Sequence, residues 1–219
     1  MSTNLFTSES KFLERSRTAL SNAQLQQGIK QALADYGMAE AEITAGTAIY
    51  KTAQATWELN KKEDVETSAA SKDYKKSYFD LQATFKKHRN QTLIYFKKKP
   101  ELLVALGVKG NFPYKYNEFF DKVKQFYGTI EQDVSIQTQV SRIKITAEVV
   151  SDCLTKLDVL LSKRANFDKE LGESQDATKS KNTALINLMD WMDDFDATAK
   201  VALYDSPQLL EVLGIFVRS

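Results

Sequence analysis

The sequence predicts an all-α fold, a helical bundle of two tandem-duplicated helical hairpins with four main long helices and short cap helices. Three observations lead to this prediction. The 219 residues include only three prolines and eight glycines, so residues with high helix propensity fill long stretches. Apolar residues recur every three or four positions along these stretches, as on one face of a helix. One short motif also occurs twice.

The repeated motif is P-x-L-L-x-x-L-G-[VI], which begins at Pro100 and again at Pro207, 107 residues later. The same offset, without a gap, pairs further apolar residues such as Phe12 with Phe119. Chance similarity between two helical segments is the alternative. Because one offset serves both the motif and the helical phase, the sequence predicts a tandem duplication.

The duplication predicts how the chain is organised. The first helical repeat covers residues 1–112 and the second covers residues 113–219. Lys109–Tyr114, which contains a glycine and a proline, is the predicted linker between them. This linker is short, so the two repeats are expected to pack together as one domain, most simply as an up-and-down four-helix bundle.

The first part of each repeat is predicted to be a long helix. Residues 119–171 contain no proline and one glycine, and apolar residues keep a spacing of three or four. The spacing slips near residues 133–139, and the equivalent region of the first repeat approaches Tyr36 and Gly37. A break at these places would raise the number of long helices from four to six.

The second part of each repeat is predicted to return along the first. Turns are expected near residues 61–71 and 171–176, where Thr67, Ser68 and Ser174 are candidate N-caps. The returning helices carry heptad seams, made of Tyr74, Tyr78, Leu81, Phe85, His88, Thr92 and Tyr95 in the first repeat and of Lys181, Leu185, Leu188, Met192, Phe195, Ala199 and Ala202 in the second.

A proline ends each returning helix, and a glycine ends each cap helix. The prolines are Pro100 and Pro207, since the residue before a proline disfavours helical geometry. A short cap helix then carries the Leu-Leu pair and ends at Gly107 or Gly214, where a left-handed C-cap is expected.

Residues that support catalysis or metal binding are scarce. His88 is the only histidine, so the sequence contains no multi-histidine metal site and no Glu-x-x-His pair. Cys153 is the only cysteine and lies among apolar residues, which indicates a buried, unreactive thiol. No phosphate-binding glycine motif is present. We therefore predict a protein that is not an enzyme and that has no metal and no cofactor.

Charge reversal between the repeats is the strongest functional signal. Four positions that are basic in the first repeat are acidic in the second. The predicted contact surface consists of Lys86, Lys87, Arg89 and Lys98, matched by Asp193, Asp194, Asp196 and Asp205. We expect these faces to meet, either within the chain or between copies arranged head to tail, because complementary charge sets register and orientation. Two solvated faces are the alternative.

A ligand cavity is the second functional hypothesis. Aromatic, histidine and methionine side chains occur at helical spacing in both returning helices. The predicted cavity is lined by Phe85, His88, Trp191 and Met192, and a small-molecule ligand is its expected occupant. Ordinary core packing explains the same spacing.

Composition limits the partners and the compartment. The 30 Lys and Arg nearly balance the 29 Asp and Glu, so no nucleic-acid partner is expected. Met1–Ser10 has no basic segment followed by an apolar run, and no long apolar stretch follows, so we expect no membrane insertion. A single cysteine is consistent with a reducing compartment, which predicts a cytoplasmic protein. The oppositely charged faces predict a protein partner or a homo-oligomer.

The C-terminal stretch shows a family resemblance. It runs from Trp191 and Met192 through the second P-x-L-L-x-x-L-G motif at Pro207 to the final Val-Arg-Ser. This stretch resembles the tail of a group of bacterial all-helical proteins with no known activity. The resemblance covers only the tail and its internal copy, and it implies a bacterial source but no mechanism.

Overall fold

The computed structural model describes residues 8–217, and these residues form eight α-helices and no strand. The helices are α1 (Glu9–Leu25), α2 (Gln27–Asp35), α3 (Glu40–Tyr95), α4 (Pro100–Ala105), α5 (Tyr116–Gln132), α6 (Val134–Ser141), α7 (Ala147–Ala202) and α8 (Pro207–Val212). The prediction of an all-α chain of long helices is confirmed. Arg218 and Ser219, at the end of the tail that carries the resemblance, lie outside the described residues.

The chain divides into two compact units that do not coincide with its two sequence halves. Unit 1 combines Met1–Val65 with Glu173–Ser219, and unit 2 is Glu66–Gly172. The long helices α3 and α7 each contribute one part to unit 1 and the other part to unit 2. Each unit therefore contains residues from both halves of the sequence, and the predicted division at residue 112 remains a statement about sequence similarity.

The elements of the two units occur at matched positions. Adding 107 to the bounds of α1, α3 and α4 gives the bounds of α5, α7 and α8. The same offset places the boundaries of the units at equivalent positions, because Val65 is equivalent to Gly172 and Glu66 is equivalent to Glu173. We call residues 107 apart equivalent.

The predicted turns near residues 61–71 and 171–176 are wrong, because α3 and α7 are helical throughout. These stretches contain no proline, and Gly172 at a helix interior costs only about 1 kcal/mol relative to alanine. Two of the three hydroxyls predicted as N-caps, those of Thr67 and Ser174, bind the neighbouring helix instead. Within unit 2, Thr67 Oγ1 donates to the Glu170 carbonyl at 2.9 Å; within unit 1, Ser174 Oγ lies 2.9 Å from Asp64 Oδ1.

Breaks in the first part of each repeat are confirmed. In unit 2, Asp133 is extended and its carboxylate accepts the backbone N–H groups of Ser135 and Ile136 at 2.8 and 3.0 Å. This interaction ends α5 and caps α6. In unit 1, α2 ends at Asp35, and Gly37 follows with a φ of 85°.

The helix ends predicted from proline and glycine are also confirmed. The helices α3 and α7 end before Pro100 and Pro207, which open α4 and α8. After these short helices, Gly107 and Gly214 have φ values of 65° and 70°. Glycine adopts this left-handed conformation without the steric cost of a side chain, so it reverses the chain at both places.

Each unit has its own hydrophobic core, to which the predicted seams contribute. The buried core of unit 1 includes Leu20, Ile29, Leu33, Leu185, Leu188, Met192, Phe195 and Leu213. The buried core of unit 2 includes Leu81, Phe85, Leu106, Phe119, Phe126, Tyr127, Ile130 and Leu160. The bundle packing expected from the periodicity therefore forms inside each unit, between parts of α3 and α7 and the shorter helices.

Candidate interaction surfaces

The two units carry opposite net charge, although the chain as a whole is nearly neutral. Unit 2 contains 19 Lys and Arg and 13 Asp and Glu, a formal net charge of +6. The other 11 Lys and Arg and 16 Asp and Glu give unit 1 a net charge of −5. Charge of this size on one unit favours association with surfaces of the opposite sign.

A cluster of cations on unit 2 lies where α3 gives way to α4. We define the basic surface as Lys97, Lys98, Lys99, Arg142 and Lys144, all of them exposed. The first four of these residues line a pocket of about 390 Å³, together with Tyr95, Phe96 and Gln139. The helix α3 ends at Tyr95 before this loop, Pro100 opens α4 after it, and Lys144 adopts a φ of 65° in the turn before α7.

Carboxylates do not neutralise the basic surface. Lys99 Nζ donates to Gln139 Oε1 at 2.6 Å and lies 5.9 Å from the centre of the Phe96 ring. Among residues 8–217, none of the five cations of the basic surface forms an ion pair. Glu101 and Glu148 are the acidic residues nearest to the surface in the sequence. The surface is therefore available to an acidic partner.

The equivalent part of unit 1 is acidic. Asp35 and Asp205 are equivalent to Arg142 and Lys98. We define the acidic surface as Asp35, Glu40, Glu42 and Asp205, which are all exposed. Lys30 Nζ donates to Glu40 Oε2 at 2.9 Å, and this hydrogen bond lowers the pKa of the Glu40 carboxyl. The other three carboxylates form no ion pair with any residue that the structure describes.

Six of the eight residues predicted to form a contact surface are exposed and available to a partner. They are Lys86, Lys87 and Lys98 on unit 2 and Asp193, Asp194 and Asp205 on unit 1. The charge reversal at these equivalent positions is therefore a property of the molecular surface.

The remaining two predicted contact residues have structural roles inside their own units. Arg89 is buried, and its guanidinium donates to the Gly110 carbonyl. Asp196 is half-buried and pairs with Arg15, whose Nε also donates to the Gly214 carbonyl at 3.2 Å. Burial and local pairing remove both side chains from the surface that a partner could reach.

The four residues predicted to line one cavity are divided between the two cores. Phe85 and His88 belong to unit 2, whereas Trp191 and Met192 belong to unit 1. Phe85 packs among aromatic rings, with the Phe126 ring centre 5.6 Å away. Phe85 and Met192 belong to the buried cores of their own units, and Trp191 packs against the core of unit 1.

His88 takes part in a buried polar cluster that the sequence did not reveal. Its Nδ1 shares a 2.8 Å hydrogen bond with the Tyr127 hydroxyl. Burial lowers the pKa of His88, with a smaller contribution from Lys87. Burial also raises the pKa of Tyr127 and of the neighbouring Cys153 thiol, so both keep their protons. A neutral buried thiol is a poor nucleophile, so this cluster is suited to packing and not to covalent chemistry.

A comparison of equivalent residues would have found this cluster. The equivalents of His88 and Tyr127 are Phe195 and Leu20, which are both buried and apolar. Two polar groups that replace two apolar groups in the same core are expected to bind each other, because an unpaired buried polar group is costly.

An open groove of about 620 Å³ lies between α3 and α7 in unit 1. It is lined by Ile49, Thr52, Thr56, Lys179, Ser180, Thr183, Ala184 and Asn187. In unit 2, the equivalents of Ile49, Thr56 and Ser180 are Lys156, Lys163 and Asp73, and Lys163 Nζ is 2.8 Å from Asp73 Oδ1. Small and hydroxyl side chains therefore keep the groove open in unit 1.

Comparisons with models of protein families, with curated proteins and with solved structures give no match to this chain. No helix within residues 8–217 is long and apolar enough to cross a membrane.

Proposed function

We propose that this protein is a non-catalytic helical interaction module that arose by tandem duplication and binds protein partners through oppositely charged surfaces. Charge reversal at exposed equivalent positions is the observation that carries the proposal. Lys98 and Arg142 on unit 2 are matched by Asp205 and Asp35 on unit 1. Charges arranged in this way steer association and exclude partners of the wrong sign.

The positions of the helices support the duplication. A single offset of 107 relates the P-x-L-L-x-x-L-G motifs, the bounds of three pairs of helices and the composition of the two units. Copies that begin identical keep the residues on which the fold depends, such as the prolines before α4 and α8. Their surfaces are free to diverge, and here they have diverged in sign.

The known surroundings of the titratable groups support a function without catalysis. The one histidine and the one cysteine are buried, and burial favours the uncharged form of each. Many of the charged residues are exposed on helices and at helix ends, where they are suited to contacts with another macromolecule.

Affinity purification of the cross-linked full chain, from cells that produce it, tests the proposal. The informative bait carries Lys86→Glu and Lys98→Glu, and the matched control carries Lys109→Glu and Lys124→Glu at other exposed sites. We expect the wild type and the control to capture the same partner protein in equal amounts. The informative bait should capture at least roughly tenfold less of it. Equal capture by all three baits would contradict the proposal.

A ligand-binding function is the second candidate, and the groove in unit 1 favours it. The groove has apolar and hydroxyl side chains, such as Ile49, Thr52 and Ala184, which suit a small amphipathic molecule. Native mass spectrometry of the purified chain would detect such a ligand as added mass. Thr183→Phe, at an exposed position on the rim, should remove that mass. A wild-type chain without added mass would contradict a function that depends on a co-purifying ligand.

A further inference from the structure

We infer that the basic surface of unit 2 binds the acidic surface of unit 1 in a second copy of this chain, so that copies associate head to tail. This inference rests on the proposed function and names the partner. The chain itself supplies both surfaces, which is why a second copy is the partner with the best-matched chemistry.

The two surfaces carry opposite charges at two pairs of equivalent positions. Lys98 is equivalent to Asp205 and Arg142 is equivalent to Asp35, and all four side chains are exposed. Each pair lies at equivalent positions of the two units. A basic surface placed against the acidic surface of another copy therefore meets carboxylates that match Lys98 and Arg142.

Exposed apolar side chains accompany both surfaces. Ile94 and Val201 are equivalent, lie in the last turns of α3 and α7, and are 74% and 57% exposed. Tyr95, which lines the basic pocket, is 53% exposed, and Tyr204 beside the acidic surface is 82% exposed. Apolar and tyrosine side chains surrounded by charge are typical of the centre and rim of a protein interface.

The basic surface is electrostatically unfavourable in the isolated molecule. Lys97, Lys98, Lys99 and Arg142 line one pocket without a carboxylate partner in the described part of the chain. Like charges repel each other, and at 0.1 M salt this repulsion is strongly screened only beyond about 10 Å. The cations that line one pocket therefore still repel each other. Carboxylates from a second copy would relieve this repulsion, and added salt would weaken that effect.

The two surfaces differ, so the contact is heterologous. A copy that uses its basic surface still has a free acidic surface. Such contacts produce a closed ring or an open chain, depending on the rotation between neighbouring copies. Association is therefore expected to continue beyond a dimer as the protein concentration rises.

Sedimentation velocity of the purified full chain tests self-association directly. We expect the weight-average sedimentation coefficient to rise with concentration at about 0.05 M salt and to return to the monomer value at about 0.5 M salt. A monomer at every concentration and at both salt levels would overturn the inference. The proposed function would survive that result if affinity purification still showed capture of another protein that depends on Lys98.

Charge-reversed variants provide the sharper test. The first variant carries Lys98→Glu and Arg142→Glu, which lowers the formal charge of its basic surface from +5 to +1. The second carries Asp35→Lys and Asp205→Lys, which changes the formal charge of its acidic surface from −4 to 0. We expect each variant alone to associate roughly 10- to 100-fold more weakly than the wild type, because its two surfaces then carry like charges at the equivalent positions.

Mixing the two variants should restore association. An equimolar mixture pairs the unchanged acidic surface of the first variant with the unchanged basic surface of the second, and a chain that carries all four substitutions again has opposite charges at the equivalent positions. Circular dichroism of each variant confirms that it is folded. Mixtures that remain monomeric, or single variants that assemble like the wild type, would overturn the inference.

Discussion

The two units have equivalent helices but distribute large side chains differently in their cores. In unit 2, α5 contributes Phe126 and Ile130, whereas the equivalent residues in unit 1 are Ala19 and Ala23 on α1. All four side chains are fully or almost fully buried. At these positions α5 therefore contributes large side chains to the core of unit 2, whereas α1 contributes small ones to the core of unit 1.

The long helix α7 compensates for this difference in unit 1. Trp191 and Phe195 stack with ring centres 5.4 Å apart, whereas the equivalent residues in unit 2 are Thr84 and His88. Gly46 makes room for the indole, since a Cβ at Gly46 would lie only 2.3 Å from the Trp191 ring. The same backbone arrangement therefore accepts two cores, provided that the facing helices together fill the space.

The largest effect is expected where a residue of unit 1 is transferred into unit 2. Phe126→Ala introduces the residue found at Ala19 but without the compensating rings, so it leaves a cavity. We expect the free energy of unfolding to fall by about 3–5 kcal/mol. Urea denaturation followed by circular dichroism measures this change. Phe120→Ala, at a partly buried site on the same helix, is the control and should cost less.

A smaller effect is expected at the contact between Gly46 and Trp191. Gly46→Ala should lower the free energy of unfolding by about 1–3 kcal/mol from overpacking, partly offset by the better helix propensity of alanine. Adding Trp191→Thr, the residue equivalent to Thr84, should make the Gly46→Ala change nearly harmless.

A matched glycine provides the control for that experiment. Gly128 lies inside α5, and an added Cβ would meet no atom within 4 Å. Gly128→Ala should therefore stabilise the protein by about 0.5–1 kcal/mol. If Gly46→Ala also proved stabilising, the steric account of the unit 1 core would be wrong.

The smallest effect is a pH dependence that belongs to unit 2. Burial lowers the pKa of His88 below its ordinary value of 6.5, so the unfolded chain binds this proton more readily than the folded chain does. The contribution of the neutral His88 to the free energy of unfolding is therefore fully present above pH 6.5. It decreases as the pH falls from 6.5 toward the lowered pKa. Urea denaturation at pH values between 7.5 and 6 should show this decline.

Replacing the histidine isolates its contribution, because the chain has no other. His88→Gln keeps a polar side chain that can still bind the Tyr127 hydroxyl but does not titrate. We expect this variant to show a flat dependence on pH over the same interval. A decline as steep as that of the wild type would assign the effect to another group.

Local chemistry explains which parts of the fold were predictable. Pro100 and Pro207 restrict the residue that precedes them, and Gly107 and Gly214 adopt a backbone conformation that other residues disfavour. These constraints act within a few residues, so they can be read from the chain alone. The helix ends at both cap helices were accordingly predicted correctly.

The turns predicted near residues 61–71 and 171–176 were wrong because contacts between distant residues decide the structure there. Thr67 and Ser174 have hydroxyls that can cap a helix or bind a neighbouring one, and sequence alone does not distinguish these roles. In the structure both bind across α3 and α7. Neither stretch contains a proline, and each helix continues through it without interruption.

The candidate surfaces were partly predictable for a similar reason. The reversals between Lys98 and Asp205 and between Arg142 and Asp35 can be read from the aligned halves, but the proximity of Arg142 to Lys98 could not. The α3–α4 loop and the end of α6 meet only in the folded unit 2, where they line a common pocket. Burial likewise removed Arg89 from the predicted surface.

Composition and periodicity were enough to establish an all-α protein with long helices that end at particular prolines and glycines, because helix propensity and backbone conformation are local properties. Which helix segments share a core was decided by packing over long distances. Equivalent segments present nearly the same apolar face, so a segment such as residues 66–95 could pack within its own half or against the other. Because the helices are continuous at residues 61–71 and 171–176, this segment packs against residues of the other half of the sequence.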